Sequence, residues 1–194
     1  GQVKLSDSQE IIAQGGEFKV AVTTDQVYTV DTDNLPSWLK YVPTKALRTE
    51  ELTFVAEEND GTDVREHTIN LLVSTYSGTS AVSSIKVIQK PLATSFAVTP
   101  KTVTLPISSE EKLTVTVSPA KADASVNWTL PSELVMDGNF IKVNPEAVEK
   151  GYANIIAGKS YKVYATSVSN PELKDSIVVD VKAVMAEEIV IPNP

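Results

Sequence analysis

Residues 17–22 read Glu-Phe-Lys-Val-Ala-Val, EFKVAV, with Phe18, Val20 and Val22 on one side of an alternation and charged or small residues on the other. Successive side chains of an extended chain point to opposite faces, so a period of two marks a half-buried β-strand. The same phase returns in KLTVTV at Leu113, Val115 and Val117, and in the series His67, Ile69, Leu71 and Val73. It appears again at Ile85 and Val87, at Val126, Trp128 and Leu130, and at Ile177, Val179 and Val181. No stretch keeps a helical period beyond one turn near Pro145–Lys150. Turn residues fall between the runs, at Gln14-Gly15-Gly16, Asn59-Asp60-Gly61, Ser77-Gly78, Asp137-Gly138-Asn139 and Asn170-Pro171. Short strands punctuated every 8 to 12 residues or so predict an all-β chain built as antiparallel sandwiches.

The 194 residues give room for two such sandwiches, since domains run to roughly 100 to 150 residues each. Hydrophobic residues at 42% and charged residues at 22% suit a folded core with a solvated surface. A net charge of −8 argues against a nucleic-acid partner or an anionic membrane surface, because a phosphate backbone is bound by clustered Lys and Arg. Apolar runs such as Leu71-Leu72-Val73 and Ile177-Val178-Val179 are far shorter than the roughly 20 residues that span a bilayer, so no transmembrane segment is expected. With no cysteine there is neither a disulfide framework nor a thiolate site. The chain opens at Gly1 without a basic and apolar leader, so any export signal is expected to be already gone, and localisation must be read from elsewhere.

The boundary between the sandwiches is expected in IQKPLATSF, where one strand ends at Gln89 and Pro91 interrupts the ladder before a new set begins near Phe96. This gives a first domain over 1–90 and a second over 91–184, the first holding most of the acidity. So short and proline-stiffened a joint predicts an extended rod. Residues 185–194, ending AEEIVIPNP, read as a tail or as the start of a further module, since they lie over ATSFAVTP at the opening of the second domain.

Within residues 1–90, GGEFKVAVTTDQVYTV, PSWLKYVP, REHTINLLV and IKVIQ occur in an order that resembles the BACON domain (Bacteroidetes-associated carbohydrate-binding often N-terminal). The likeness rests on Gly16–Val22, on Tyr28 and Val30, on the Pro36–Leu39 corner, on the Arg65-led strand and on a last strand ending in Gln89; Tyr28 stands where Trp is more usual. Residues 94–184 resemble a bacterial Ig-like domain of group 2, through VTLPISSEEKLTVTVSPAKADASVNWT and YKVYATSVSNPELKDSIVVDV. There NPEAVEKGYANIIAGKS is longer and less regular than the family's hairpin and is expected to form a surface loop. Together the resemblances imply two tandem immunoglobulin-like antiparallel β-sandwiches in a cell-surface or secreted protein of a Bacteroidetes-type bacterium. They also imply a role beside glycan-degrading or glycan-binding modules, as a carbohydrate binder or as a spacer.

Few residues offer chemistry. His67 is the one histidine, and its phase with Ile69 and Leu71 places it in or at the rim of a core. Without a second His or any Cys, neither a zinc site of the HExxH kind nor a nucleophilic triad can be assembled, and no enzyme is expected. Glu57-Glu58 and Glu110-Glu111 sit beside turns as solvated acids. EENDGTD, residues 57–63, has calcium-loop composition, with Glu58, Asn59, Asp60 and Asp63 as the candidate ligands. Its adjacent Asn59 and Asp60 break the alternate spacing of an EF-hand, so a hairpin turn with no cofactor is the preferred reading. STYSGTSAVSS, residues 74–84, joins two strands through a Ser/Thr-rich excursion that exposes Tyr76; an ordinary mobile hairpin loop is the preferred reading, and a surface on which a sugar ring can stack is the alternative. Trp128 takes the place of the core tryptophan of an Ig-like strand.

DNLPSWLKYVP, residues 33–43, holds two rings between two prolines. Trp38, at the Pro-Ser-Trp-Leu corner, is expected to plug the end of the first sandwich. Tyr41, with a polar tip and no assigned place in the core, is the first choice for a ligand platform. The ligand-binding candidates are therefore Tyr41, Tyr76 and Trp38. The expected function is a non-catalytic surface module, anchored to the outer membrane like a lipoprotein or else periplasmic or secreted. It would serve adhesion or the binding of glycans such as mucin, or of a surface protein, with a structural spacer as the alternative.

Overall fold

The computed structural model describes residues 3–43, 51–75, 78–152 and 156–183. They fall into two compact units, Gly1–Thr94 with Ser118–Asp123, and Ser95–Val117 with Ala124–Pro194. Both units are built from strands, as the alternation requires.

In the first unit the strands are β1 (Ser8–Ile11), β2 (Gly16–Ala21), β3 (Tyr28–Val30), β4 (Leu39–Val42), β5 (Glu51–Ala56), β6 (Arg65–Thr75) and β7 (Gly78–Gln89). One sheet runs β1-β7-β6-β3 and the other β2-β5-β4. EFKVAV forms β2, where Phe18 lies across from Phe54 and Val20 from Leu52. The inward residues of this sheet meet Ile69, Leu71, Ile85 and Val87 of the other in one core. Each large aliphatic or aromatic side chain withdrawn from water there stabilises the unit by about 1.5–3 kcal/mol. Gly15, which turns the chain into β2 at φ 72°, sits where a Cβ would lie 2.4 Å from the Ala56 carbonyl oxygen.

Two local expectations are corrected. The Ser/Thr-rich stretch 74–84 is not an excursion but mostly ladder: β6 and β7 form one long hairpin from Arg65↔Gln89 to Thr75↔Gly78, with one register shift between Leu71 and Leu72. Backbone hydrogen bonds carry such a ladder, and Ser and Thr do not oppose it. Tyr76 lies outside the described residues. Asn59-Asp60-Gly61 is not a hairpin turn either, because it carries the chain from β5 in one sheet to β6 in the other. Gly61 is not among the positive-φ glycines, and the bend is built by Asn59 instead. Its buried side chain accepts from the Gly61 amide at 3.3 Å and donates to the carbonyls of Asp63 at 2.9 Å and Gln89 at 3.1 Å.

The second unit has β8 (Ser95–Thr99), β9 (Thr102–Pro106), β10 (Glu110–Lys112), β11 (Thr114–Ser118), β12 (Val126–Thr129), β13 (Leu134–Asp137), β14 (Phe140–Val143), β15 (Ser160–Ser167) and β16 (Lys174–Lys182). They pair as β12-β15-β16-β9, β10-β14-β13 and β8 with β11, around Leu105, Leu113, Ile141, Val163, Ile177 and Val179. Trp128 is half-buried against this core. In place of the expected surface loop after β14, the described residues 145–152 are helical. They begin with the helical turn α1 (Pro145–Ala147), capped by Asn144, whose Oδ1 accepts from the Glu146 amide at 3.1 Å.

Neither sandwich is wholly antiparallel. β1 pairs in parallel with β7, and β9 in parallel with β16. In both cases an early strand of the unit lies along its closing strand, which shields an edge that would otherwise present unpaired backbone groups.

Candidate functional site

The two rings of DNLPSWLKYVP both rest on the core of the first unit. Trp38 is half-buried just ahead of β4; its carbonyl accepts from the Glu57 amide at 2.9 Å, and the Arg65 guanidinium lies over its ring, 5.7 Å from the centroid. Arg65 is held in turn by the Glu58 carbonyl at 3.1 Å and by Asp60 at 3.6 Å. Tyr41 shares the inward parity of Leu39 on β4, and its ring is 5.4 Å from that of Phe54, which stacks on Phe18 at 5.5 Å. The reading that left Tyr41 without a place in the core is thus corrected: its polar tip hid an inward position in the alternation. Tyr28, on the opposite sheet, also packs on this core, and burial, with a smaller contribution from Tyr41, raises its phenol above the ordinary value. The three rings Tyr28, Tyr41 and Trp38 are half-buried, so each could offer a ligand only part of its surface.

Of the four candidate ligands, Asn59, Asp60 and Asp63 have side chains engaged within the fold. Asn59 is buried and supplies the bend described above, Asp60 pairs with Arg65, and Asp63 pairs with Lys121. The Lys121 ammonium, first by hydrogen bond and then by charge, lowers the Asp63 carboxyl below its usual range. Glu58 contributes its backbone carbonyl to Arg65. Among the described residues no group of three or more His, Cys, Asp or Glu is arranged to hold a metal ion. His67 lies on β6 across from Val87, half-buried; burial lowers its imidazole below the ordinary value, opposed by Asp31.

The second unit holds a cleft of about 450 Å³ that the sequence did not announce. Its lining includes Glu133 of the β12–β13 connection, Glu146 and Lys150 from the residues after β14, and Ile156, Lys159 and Tyr161 at and before the start of β15. The Tyr161 hydroxyl is withdrawn from water without a hydrogen-bond partner, and burial first, then the nearby Glu133 carboxylate, raises its pKa. Two carboxylates and two ammonium groups leave the cleft without net charge, and its volume falls in the range of small-molecule sites, roughly 300–1,000 Å³. A signal for it existed in the sequence, in the irregular length of NPEAVEKGYANIIAGKS.

No helix among the described residues is long and apolar enough to cross a membrane. No curated protein matches the chain. Among solved structures, it is similar to an endo-fucoidan hydrolase of glycoside hydrolase family 107, at 12% identity and a TM-score of 0.49, over 95% of this chain and 29% of that one. It is similar to titin domains I67–I69 at 14% identity and a TM-score of 0.39, over 93% of this chain and 64% of that one. It is also similar to the D00–D0 domains of intimin at 11% identity and a TM-score of 0.34, over 92% and 96% of the two chains. The chain spans 29% to 64% of the length of the first three structures it matches. Residues 28–90, which run from β3 to just past the end of β7, match the family profile of BACON, described as "Putative binding domain, N-terminal".

Proposed function

We propose that this chain is a non-catalytic, surface-exposed module of an exported Bacteroidetes-type protein, and that it binds carbohydrate. The observation that carries the reading is the match of residues 28–90 to a family described as a binding domain, over strands that belong to one folded unit. The cleft in the second unit, lined by carboxylates of Glu133 and Glu146 and ammonium groups of Lys150 and Lys159, supports a polar ligand such as a sugar. Residues 1–90 are read as the BACON-like domain, 91–184 as a group 2 bacterial Ig-like domain, and 185–194 as a tail or the start of a further module. Anchoring to the outer membrane through a lipid, with glycans such as mucin or a surface protein as partners, belongs to the same reading.

A spacer role is the second reading, and one observation favours it: the rings Trp38 and Tyr41 are packed on the core rather than standing free. A glycan array followed by calorimetry separates the two. Saturable binding of any oligosaccharide supports the module reading; a blank array and no heat with mucin and plant oligosaccharides would leave the spacer.

A further inference from the structure

The sheet β12-β15-β16-β9 turns one face to the core of the second unit and the other outward. Tyr164 stands on the outward face with half its surface in solvent, 50% exposed. The register names what surrounds it. Lys162 precedes it by two residues on β15, Ser176 lies directly across on β16 with Lys174 on the diagonal, and Thr129 lies across on β12 with Asn127 on the diagonal. Such diagonal positions are about 7–8 Å apart, within reach of long side chains. The Lys162 ammonium already rests over the Tyr164 ring, 5.1 Å from its centroid. Neither Lys162 nor Lys174 has an ion-pair partner among the described residues. No carboxylate occupies a register position next to Tyr164, and Asp180, farther along the same face, is hydrogen-bonded to the Ser160 hydroxyl.

A chain of net charge −8 repels polyanions at long range, so two uncompensated ammonium groups beside one exposed ring make a local exception with a definite chemistry. The exposed part of the ring accepts the C–H side of a pyranose once the Lys162 ammonium turns from the ring to an acidic group. The Thr, Ser and Asn side chains around it can exchange hydrogen bonds with sugar hydroxyls. The ammonium groups make charge-assisted hydrogen bonds to a carboxylate or sulfate. We propose that this face is a binding platform for an acidic polysaccharide, whose sugar rings lie on Tyr164 and whose carboxylate or sulfate groups meet Lys162 and Lys174. The inference rests on the carbohydrate-binding reading and narrows it to an anionic substrate and a place in the second unit.

The test titrates the 194-residue chain with polygalacturonate, dextran sulfate, neutral dextran and a single-stranded DNA oligomer of matched charge, by calorimetry and by amide NMR shifts. Polygalacturonate, dextran sulfate or both are expected to bind and to shift amides of β12, β15 and β16, and the tighter of the two tells carboxylate from sulfate. Tyr164→Ala is expected to weaken binding by about tenfold, the equivalent of one stacking contact. Lys162→Gln and Lys174→Gln are each expected to flatten the salt dependence of the affinity. The thermal midpoints of these exposed-site variants should stay at wild type, which keeps folding out of the result. Unchanged affinity in Tyr164→Ala, or equal binding of the DNA oligomer, overturns the platform. Polysaccharide binding that shifts amides elsewhere and ignores Tyr164→Ala overturns it too but leaves the carbohydrate reading standing; no binding by any of these polysaccharides overturns the platform, and a blank glycan array besides overturns the carbohydrate reading as well.

Discussion

Gln89, the last residue of β7, gives a sharp test of how the first sandwich is closed. Its side chain is wholly buried, and its Nε2 donates to the carbonyls of Glu57 at 2.8 Å, Ile12 at 3.1 Å and Ala13 at 3.4 Å. One amide therefore ties the β1–β2 turn to the exit of β5, while its own Oε1 has no partner. Gln89→Leu keeps most of the volume and removes all of this at once. The Ile12 carbonyl retains the Gly15 amide at 3.0 Å and the Ala13 carbonyl retains the Asn59 amide at 2.9 Å, so the main loss is the donor to Glu57. A part-buried acceptor such as the Glu57 carbonyl, stripped of its donor, costs about 1–2 kcal/mol and each of the two shared bonds about 0.5–1.5 kcal/mol, against about 1 kcal/mol returned by removing the orphaned Oε1. The net expectation is destabilisation of the first unit by about 2 kcal/mol.

For a unit of this size each 1 kcal/mol moves the thermal midpoint by about 4–8 °C, so Gln89→Leu should lower it by roughly 8–16 °C. The assay is available because the chain has two tryptophans, Trp38 in the first unit and Trp128 in the second. In a Trp128→Phe background, Trp38 fluorescence follows the first unit alone. A fall of less than about 3 °C would refute the reasoning. So would an equal fall reported by Trp128 in the reciprocal background, since the effect must be confined to the unit that holds the bonds.

Four further outcomes are expected. Gly15→Ala should destabilise the first unit by more than about 3 kcal/mol in the same assay, because a Cβ would meet the Ala56 carbonyl oxygen at 2.4 Å and the φ of 72° is strained for any L side chain. Tyr41→Ala should cost the first unit about 2–4 kcal/mol through lost burial and the contact with Phe54, read by urea titration, so any loss of glycan binding in that variant must be checked against folding. Tyr161→Phe should raise the stability of the second unit by about 1 kcal/mol in the absence of ligand, seen as a higher urea midpoint of Trp128 fluorescence, because it removes a buried hydroxyl that has no partner. At Asp175 burial acts to raise the carboxyl, but hydrogen bonds from Lys101 and from the amides of Val98 at 2.7 Å and Ser176 at 2.8 Å outweigh it and hold the group below its ordinary value. A depressed carboxylate contributes stability above the unfolded value, about 3.9, and loses it as pH falls further, so Asp175→Asn should flatten the decline of the second unit's thermal midpoint between about pH 5 and pH 2.

What the sequence disclosed and what it withheld divide along one physical line. Burying one face of a strand forces a period of two whatever the neighbours are, so the inward positions of β2, β11 and β16 could be read directly, Ile177, Val179 and Val181 being buried as their phase demands. The same parity held information that residue type obscured. Tyr41 shares the phase of Leu39 and belongs inside, and Tyr164 is out of phase with Val163 and Ala165 and belongs outside. What parity cannot supply is the partner on the next strand. Asn59 looks like an ordinary turn residue until Gln89, thirty positions later, is laid against it. Lys174 joins Tyr164 only because the Val168–Leu173 connection sets the pairing of Thr166 with Lys174 and of Tyr164 with Ser176. A slip of one residue in that register would send Lys174 to the other face and put Asp175, a carboxylate, on the outward side in its place. The charge of the platform therefore depends on register, and Lys174→Gln should reduce the salt dependence of binding while Lys182→Gln, eight residues along the same strand, leaves it unchanged.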